Sequence, residues 1–148
     1  MRLPELVPEV IRLDGDLLWR EEYWGDATRT RDFYKTWLRL AAAIAENGRS
    51  LVFCGVVTPN QWEPVGERER LGDIHYVALV CAPDVHAERL QARGPAFQDD
   101  RIPKYLNHNR WLQENAASTD PPMDVIDTTS QSPNETAAAL AAWIRSRL

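Results

Sequence analysis

Short apolar runs alternate along the chain with stretches whose apolar residues recur at helical spacing. Runs without polar interruption are typical of parallel strands buried on both faces. Repeats about three to four residues apart are typical of amphipathic helices. Together these patterns predict strands over 10–13, 51–57, 74–80 and 123–126, and helices over 31–47, 64–71, 84–93, 101–115 and 133–148.

The predicted helices have recognisable ends. Thr30 can cap the helix over 31–47 and Gly48 can end it, while Asp84 and Gly94 can do the same for the helix over 84–93. Ser132-Pro133-Asn134-Glu135 has the pattern of a capping box with proline at the first helical position. Strands alternating with helices predict right-handed crossovers and an α/β three-layer sandwich around a parallel sheet.

Composition adds few constraints. A length of 148 residues suits one domain, and a net charge of -5 argues against a broad electrostatic grip on nucleic acid. Cys54 and Cys81 lie in apolar runs, which predicts buried thiols in a reducing compartment. There is no apolar run long enough to span a bilayer and no signal-peptide pattern. We therefore expect a cytoplasmic protein that binds neither membranes nor nucleic acids.

Two carboxylates follow the first predicted strand, in Asp14-Gly15-Asp16. In open parallel sheets, ligands bind beyond the carboxyl ends of the strands. A carboxylate there can take a proton from a substrate hydroxyl or hold a hydrated magnesium ion. An ordinary Asp-Gly turn whose second aspartate caps a helix is the alternative.

Basic residues cluster in the segment after the third predicted strand. Arg89 and Arg93 lie four residues apart, so they share a face of the predicted helix and could clamp phosphates. The stretch 94–110, which contains Arg101, could form a small lid over a nucleotide. A solvated helix followed by an exposed connection is the alternative for both.

The remaining candidates are hydroxyl and aromatic residues. Those from Thr128 to Ser130 follow the last strand and could border an adenine ring, although capping the final helix is the alternative. Trp19, Trp24 and Trp62 lie in predicted loops, where one could stack on a substrate ring. The spacing of histidines and cysteines predicts no zinc site, and no Gly-x-Ser-x-Gly is present.

These segments resemble those of small-molecule P-loop kinases. Leu13-Asp14-Gly15-Asp16 looks like the segment after the second strand of enzymes such as adenylylsulfate kinase. The run 74–93 is similar to the strand and lid-entry helix of nucleoside and nucleotide kinases, and Val125-Ile126-Asp127-Thr128-Thr129 completes the pattern. As a whole the chain resembles bacterial proteins described as nucleoside kinases or AAA-type ATP-binding proteins. The resemblance covers almost the whole chain, but its individual motifs are loose.

The resemblance implies a role for each matching residue, with ATP and Mg²⁺ as cofactors. Asp16 would act at the acceptor hydroxyl or indirectly through magnesium, and Arg93 would act near the phosphates. Asp14 would hold the substrate, with Trp19 beside it. The implied nucleotide contacts are Arg89, Arg101, Thr128, Thr129 and Ser130.

The sequence departs from the family in two ways. Neither Lys35 nor Lys104 follows a glycine, so the phosphate-binding loop Gly-x-x-x-x-Gly-Lys-Ser/Thr is absent. The predicted strand over 51–57 also lacks the aspartate that directs magnesium in many relatives. We therefore expect an N-terminally truncated kinase whose central strand and phosphate-binding loop are missing. The two strands beside the gap would then pair with each other directly, form a homodimer through their edges, or leave the chain poorly stable.

Three functions remain open from the sequence. The first is an ATP-dependent phosphotransferase for a nucleoside or another small hydroxyl-bearing molecule, impaired in this form. The second is a non-catalytic nucleotide-binding or interaction module derived from such a kinase. The third is an unrelated doubly wound binding protein, which leaves the coincidence of the carboxylate and arginine segments unexplained.

Overall fold

A computed structural model describes residues 3–23, 25–94 and 102–148. In these residues the chain forms the α-helices α1 (Leu3–Leu6), α2 (Ala27–Glu46), α3 (Pro59–Trp62), α4 (Pro83–Gln91), α5 (Ile102–Asn115) and α6 (Pro133–Arg145). The strands are β1 (Ile11–Asp14), β2 (Leu51–Cys54), β3 (Tyr76–Val80) and β4 (Met123–Asp127). All four predicted strands are therefore present, and they alternate with helices as expected.

The strands form two parallel pairs instead of one sheet. β1 pairs with β2, with Ile11 opposite Leu51, and β3 pairs with β4, with Tyr76 opposite Met123. The parallel pairing and the mixed α/β class are confirmed, whereas the described strands build two small sheets. The chain divides into two compact units, one with residues up to His75 together with Ala141–Leu148, the other with Tyr76–Leu140.

The core of the first unit is mainly aromatic. Trp37 and Leu38, which are 2% and 0% exposed, pack with Phe33 and Tyr34 on one side of α2. Phe53 from β2 reaches the same cluster, with its ring centroid 5.1 Å from that of Trp37. Burying such side chains stabilises each by about 1.5–3 kcal/mol, so this cluster fixes α2 against the first sheet.

The helix α2 begins earlier than the sequence suggested. Its cap is Asp26, whose carboxylate accepts from the backbone N–H of Arg29 at 3.0 Å. Thr30, the expected cap, instead lies inside the helix and donates its hydroxyl to the carbonyl of Tyr23 at 2.9 Å. The helix therefore reaches one turn further towards the segment that follows Asp16.

The strand β2 ends at Cys54, three residues before the predicted end. The chain then enters α3, a short helix that the apolar pattern did not predict. The side-chain oxygen of Gln61 accepts from the backbone N–H of Thr58 at 2.9 Å and fixes the start of this helix. Trp62, considered above as a loop residue, is 5% exposed and packs its ring 4.7 Å from that of Phe53. Trp62 is therefore a core residue and not a loop residue available to a substrate.

The helices of the second unit follow the predicted pattern more closely. The capping box of α6 is confirmed: Ser132 N–H donates to Glu135 at 2.7 Å, and Glu135 N–H donates to the Ser132 hydroxyl at 3.3 Å. Asp84 is not the cap of α4, because the helix begins one residue earlier, at Pro83, with Ala82 as its cap. Proline tolerates this position since its missing N–H would have no helical partner there.

The described cysteines are both free thiols. Cys81 is buried, whereas Cys54 is only half-buried. Burial raises the pKa of the Cys54 thiol, so this group stays protonated at neutral pH. None of the helices that the structure describes is both long enough and apolar enough to cross a membrane.

Candidate functional site

The segment Asp14-Gly15-Asp16 forms a tight turn where β1 ends. Asp14 caps a 3-10 turn over Gly15–Leu18, since its carboxylate accepts from the backbone N–H of Asp16 at 3.1 Å. The carboxylate of Asp16 is exposed and makes no hydrogen bond or ion pair with the described residues. The turn and the candidate acid–base group are thus combined: Asp14 shapes the backbone and Asp16 is left available.

Gly15 is required in this turn by a close approach. A Cβ atom at Gly15 would lie 2.7 Å from Cζ of Phe53 and 3.2 Å from the carbonyl oxygen of Cys54. The Phe53 ring cannot easily give way because Trp37 and Trp62 pack against it. The glycine therefore lets the turn that carries Asp16 lie directly on the core.

Gly15→Ala should destabilise the protein by roughly 1–3 kcal/mol, the usual cost of overpacking a filled site. Urea unfolding monitored by circular dichroism measures this loss. Gly66→Ala is the matched control, since a Cβ there meets nothing within 4 Å. Equal stability of the two variants would show that the close approach of Phe53 does not constrain the turn.

A cleft of about 470 Å³ opens beside this turn. Its walls come from the residues that directly follow Asp16 and from one face of α2, where Arg29, Asp32, Phe33 and Thr36 share the spacing of a helical stripe. The volume falls in the range of small-molecule sites. The remaining lining residues are Leu17, Leu18, Trp19, Arg20, Glu22 and Tyr23.

Aromatic rings form the inner wall of this cleft. Trp19 makes edge-to-face contacts with Tyr23 at 5.4 Å and with Phe33 at 5.2 Å between ring centroids. Phe33 continues into the core through Trp37. The charges that line the cleft balance in number, with Arg20 and Arg29 against Glu22 and Asp32. Arg20 pairs with Glu22 at 3.8 Å, whereas Arg29 pairs with Asp26 and Asp32 with Lys35. Such a cleft suits an uncharged or zwitterionic molecule with a flat apolar part.

In the second unit, Arg89 connects α4 to the segment after β4. Its guanidinium donates to the Thr128 hydroxyl at 3.0 Å, to the Thr128 carbonyl at 2.8 Å and to the Gln131 carbonyl at 3.0 Å. The Thr128 hydroxyl in turn donates to the carbonyl of Val80 at 2.9 Å. The structure thus brings together two residues that the resemblance implied at the nucleotide, but it engages both in holding the ends of β3 and β4.

The other hydroxyl residues of this segment differ in their availability. Thr129 donates its hydroxyl to Asp127 at 2.6 Å and accepts from the backbone N–H of Ala82 at 2.9 Å. Hydrogen bonds from the Thr129 side chain and backbone lower the pKa of the Asp127 carboxyl. Ser130 is exposed and has no partner among the described residues. Of these hydroxyls, that of Ser130 is therefore free to meet a ligand.

Asn109 on α5 is a structural residue that the sequence analysis missed. It is 4% exposed; its side-chain oxygen accepts from Cys81 N–H at 3.1 Å and its amide donates to the Cys81 carbonyl at 2.8 Å. The side chain therefore binds the backbone just beyond β3 as a neighbouring strand would. Its position in the sequence could have revealed this role, because Tyr105, Asn109 and Leu112 fall on one face of the predicted helix. A polar side chain on an apolar face is usually buried and hydrogen-bonded.

Two histidines of the second unit are held in the neutral form. Burial, followed by the positive charges of Arg93 and Arg89, lowers the pKa of His86, whose Nδ1 is buried without a partner among the described residues. Burial also lowers the pKa of His108, which stacks on Trp111 with ring centroids 6.5 Å apart. In the unfolded chain both would titrate near the ordinary value of about 6.5.

Because both pKa values are lower in the folded state, the unfolded chain binds more protons as the pH falls. Stability is therefore fully present above about pH 6.5 and should decline as the pH falls towards 5. Exposed Asp and Glu groups contribute mainly below this window. Thermal unfolding between pH 7.5 and 5 tests this: His86→Gln with His108→Gln should flatten the decline. A wild-type melting temperature that does not change with pH would contradict the assignment.

The candidate residues are divided between the two units, and two of them lie outside the described residues. Asp14, Asp16 and Trp19 belong to the first unit, and Arg89, Arg93 and the 128–130 segment belong to the second. Arg101 and Trp24 lie outside the described residues, as does most of the loop of the expected lid; Ile102–Asn115 forms α5. Among the described side chains, no group of three or more potential ligands could hold a metal ion.

Residues 3–145 match the family of chloramphenicol phosphotransferase-like proteins. Among solved structures, the chain is similar to a putative kinase from Chloroflexus aurantiacus J-10-fl, with a TM-score of 0.54 and 20% identity. That likeness covers 99% of this chain and 88% of the other, and at this identity it concerns the fold alone. No curated protein matches the chain significantly.

Proposed function

The chain belongs to the family of chloramphenicol phosphotransferase-like proteins, a P-loop kinase family, and we propose that it serves to transfer the terminal phosphoryl group of ATP to a hydroxyl group of a small molecule. The family match supports a kinase-type phosphotransferase, and the structural neighbour supports the fold. The identity of the acceptor, the use of ATP and the roles of individual residues belong to the proposal.

One observation carries the proposal: the free carboxylate of Asp16 at the carboxyl end of β1. It directly precedes Leu17, the first lining residue of the 470 Å³ cleft. Asp16 does not itself line the cleft, so the acceptor hydroxyl would reach from the cleft to this carboxylate, which would take its proton while the oxygen attacks the phosphorus and ADP leaves. Asp14 would act on the substrate indirectly, because its carboxylate already caps the turn.

The cleft supports an acceptor with a flat apolar group and no large net charge. Trp19 and Tyr23 offer ring surfaces, and the balanced charges at the opening do not favour a polyanion. A nucleoside or an aromatic antibiotic therefore fits this lining better than a sulfated nucleotide, which carries more negative charge. Chloramphenicol, named in the description of the family, is the first acceptor to test.

The fit of the chain to magnesium and ATP is partial. Asp16 can hold Mg²⁺ through water, as this ion commonly takes only one or two protein carboxylates beside substrate phosphates. Magnesium bound there would neutralise charge on the transferred phosphoryl group. Arg93 would lie near the phosphates, while Arg89, Arg101, Thr128, Thr129 and Ser130 would border the nucleotide.

The donors that usually surround the β-phosphate are absent from the sequence. No Gly-x-x-x-x-Gly-Lys-Ser/Thr segment occurs in the 148 residues. We propose that a phosphate-binding loop outside these residues completes the donor site, and that the 148 residues alone bind ATP weakly. The edge strands of the two described sheets could each pair with a further strand. Such a strand would come from the missing loop segment or from a second copy of the chain in a homodimer.

A non-catalytic module derived from a kinase is the second candidate. It is favoured by the missing loop and by Arg89, whose guanidinium already binds three backbone or hydroxyl oxygens within the second unit. Isothermal titration with ATP and magnesium separates the two functions. The kinase proposal expects weak binding by this chain and stronger binding by a form extended with a phosphate loop; no binding by either form supports the module.

The acceptor cleft can be tested independently of ATP. Chloramphenicol should quench tryptophan fluorescence, and Trp19→Phe should weaken its binding by about three- to tenfold, the usual contribution of one aromatic contact. Trp143→Phe on α6 is the matched control and should not change the affinity. Unchanged binding in the Trp19 variant would remove this residue from the site, and no binding by the wild type would exclude this acceptor.

A further inference from the structure

A second cleft of about 370 Å³ lies on the other side of the start of α2. Its helical wall is formed by Ala27, Thr30, Arg31 and Tyr34, a different stripe of α2 from the one that lines the acceptor cleft. Gln61 of α3 forms the facing wall, and Gly25 and Asp26 complete the lining. The cleft belongs to the first unit, and none of the described residues lines both this cleft and the acceptor cleft.

Tyr34 gives this cleft an unusual polar group. The residue is only 9% exposed, and its hydroxyl makes no hydrogen bond to the described residues. The hydroxyl is nevertheless not sealed from solvent. Because Tyr34 lines the cleft, the hydroxyl is accessible from it. A hydroxyl so placed has a donor to offer and no protein acceptor to receive it.

Other unfilled donors surround the same space. Arg31 has no ion pair among the described residues. The amide of Gln61 is oriented by its oxygen, which accepts from Thr58 N–H at 2.9 Å, so its NH₂ group is left as a donor. The N–H of Ala27 opens the 20-residue helix α2, where the macrodipole favours negative charge.

The acidic group in the cleft is already neutralised. Asp26 accepts from the backbone N–H of Arg29 at 3.0 Å and pairs with the guanidinium of Arg29 at 3.3 Å. Thr30 is also committed, since its hydroxyl donates to the carbonyl of Tyr23. The groups that remain available are therefore donors, and one of them carries a full positive charge.

We propose that this cleft binds an oxyanion, a phosphate or carboxylate group of a small molecule, through Arg31, Tyr34, Gln61 and the first amide of α2. Charge-assisted hydrogen bonds from guanidinium and backbone N–H groups are the usual means of holding such groups. The site needs neither ATP nor the acceptor, so it does not depend on phosphotransfer by this chain. It gives the protein a second small-molecule site on α2.

The test is a titration of the isotopically labelled protein with inorganic phosphate and, separately, acetate, at constant ionic strength. The Ala27 amide and the Arg31 side-chain signal in ¹H–¹⁵N spectra should shift saturably with at least one anion. Tighter binding of phosphate indicates a phosphate-bearing ligand, and tighter binding of acetate indicates a carboxylate.

Two variants and a control localise the binding. Arg31→Gln and Tyr34→Phe should each weaken it by about tenfold or more, since each removes a hydrogen bond to a charged group. Tyr34→Phe should fold normally because the hydroxyl has no protein partner to lose. Arg49→Gln, which removes an exposed arginine of the same unit outside the cleft, should bind like the wild type. No saturable shift with either anion, undiminished binding in Arg31→Gln, or an equal loss in Arg49→Gln would overturn the proposal.

Discussion

Asp16→Asn should reduce the rate of phosphoryl transfer by about 100-fold or more, the usual contribution of a positioned general base. The amide has nearly the same shape but cannot accept the hydroxyl proton, and it is a poorer ligand for magnesium. Since the Asp16 side chain has no partner among the described residues, thermal stability should stay at the wild-type value. Initial rates of ATP-dependent product formation measure the first effect, and calorimetry measures the second.

The matched control is Asp73→Asn. Asp73 is an exposed aspartate of the same unit without a partner in the described residues, so its replacement makes the same change in charge away from the turn. Its rate should equal that of the wild type. A large loss in both variants would indicate a general electrostatic effect, and normal transfer by Asp16→Asn would remove this carboxylate from the chemistry.

Asn109→Ala should destabilise the protein by roughly 3 kcal/mol, because it leaves a buried backbone N–H without a partner and opens a small cavity. The Cys81 carbonyl keeps one donor, the side chain of Gln113 at 3.2 Å, but its N–H loses the Asn109 acceptor. For a chain of this size the melting temperature should fall by about 10 °C.

Asn107→Ala is the control on the same helix. Asn107 is exposed and has no partner among the described residues, so its replacement should leave the melting temperature almost unchanged, as measured by calorimetry. Similar melting temperatures for the two variants would show that Asn109 does not hold the backbone beyond β3.

The sequence predicts best those features that depend on neighbours along the chain. The capping box of Ser132 and Glu135 lies within four consecutive residues, so the start of α6 was predictable. The start of α2 was not, because Asp26 and Thr30 are both residue types that cap helices. The choice between them depends on the carbonyl of Tyr23, which takes the Thr30 hydroxyl and keeps it inside the helix.

In the candidate site, too, some features could be predicted from neighbouring residues and others depend on contacts distant in sequence. Asp14-Gly15-Asp16 was identifiable from its place after a strand, but the division of labour between the two aspartates comes from a single backbone hydrogen bond. The need for glycine comes from Phe53, which is distant in sequence. Arg89 was predicted to face a ligand, whereas its three bonds to Thr128 and Gln131 could be seen only in the folded chain.

The most direct test of the phosphotransferase proposal is to incubate the protein with ATP, magnesium and a panel of small aromatic alcohols, and to identify the products by mass spectrometry. The account predicts that at least one alcohol gains a phosphoryl group with the wild-type protein and with Asp73→Asn, and that Asp16→Asn forms little or none. Folded wild-type protein that phosphorylates nothing, alone or with an added phosphate-binding loop, would contradict the account.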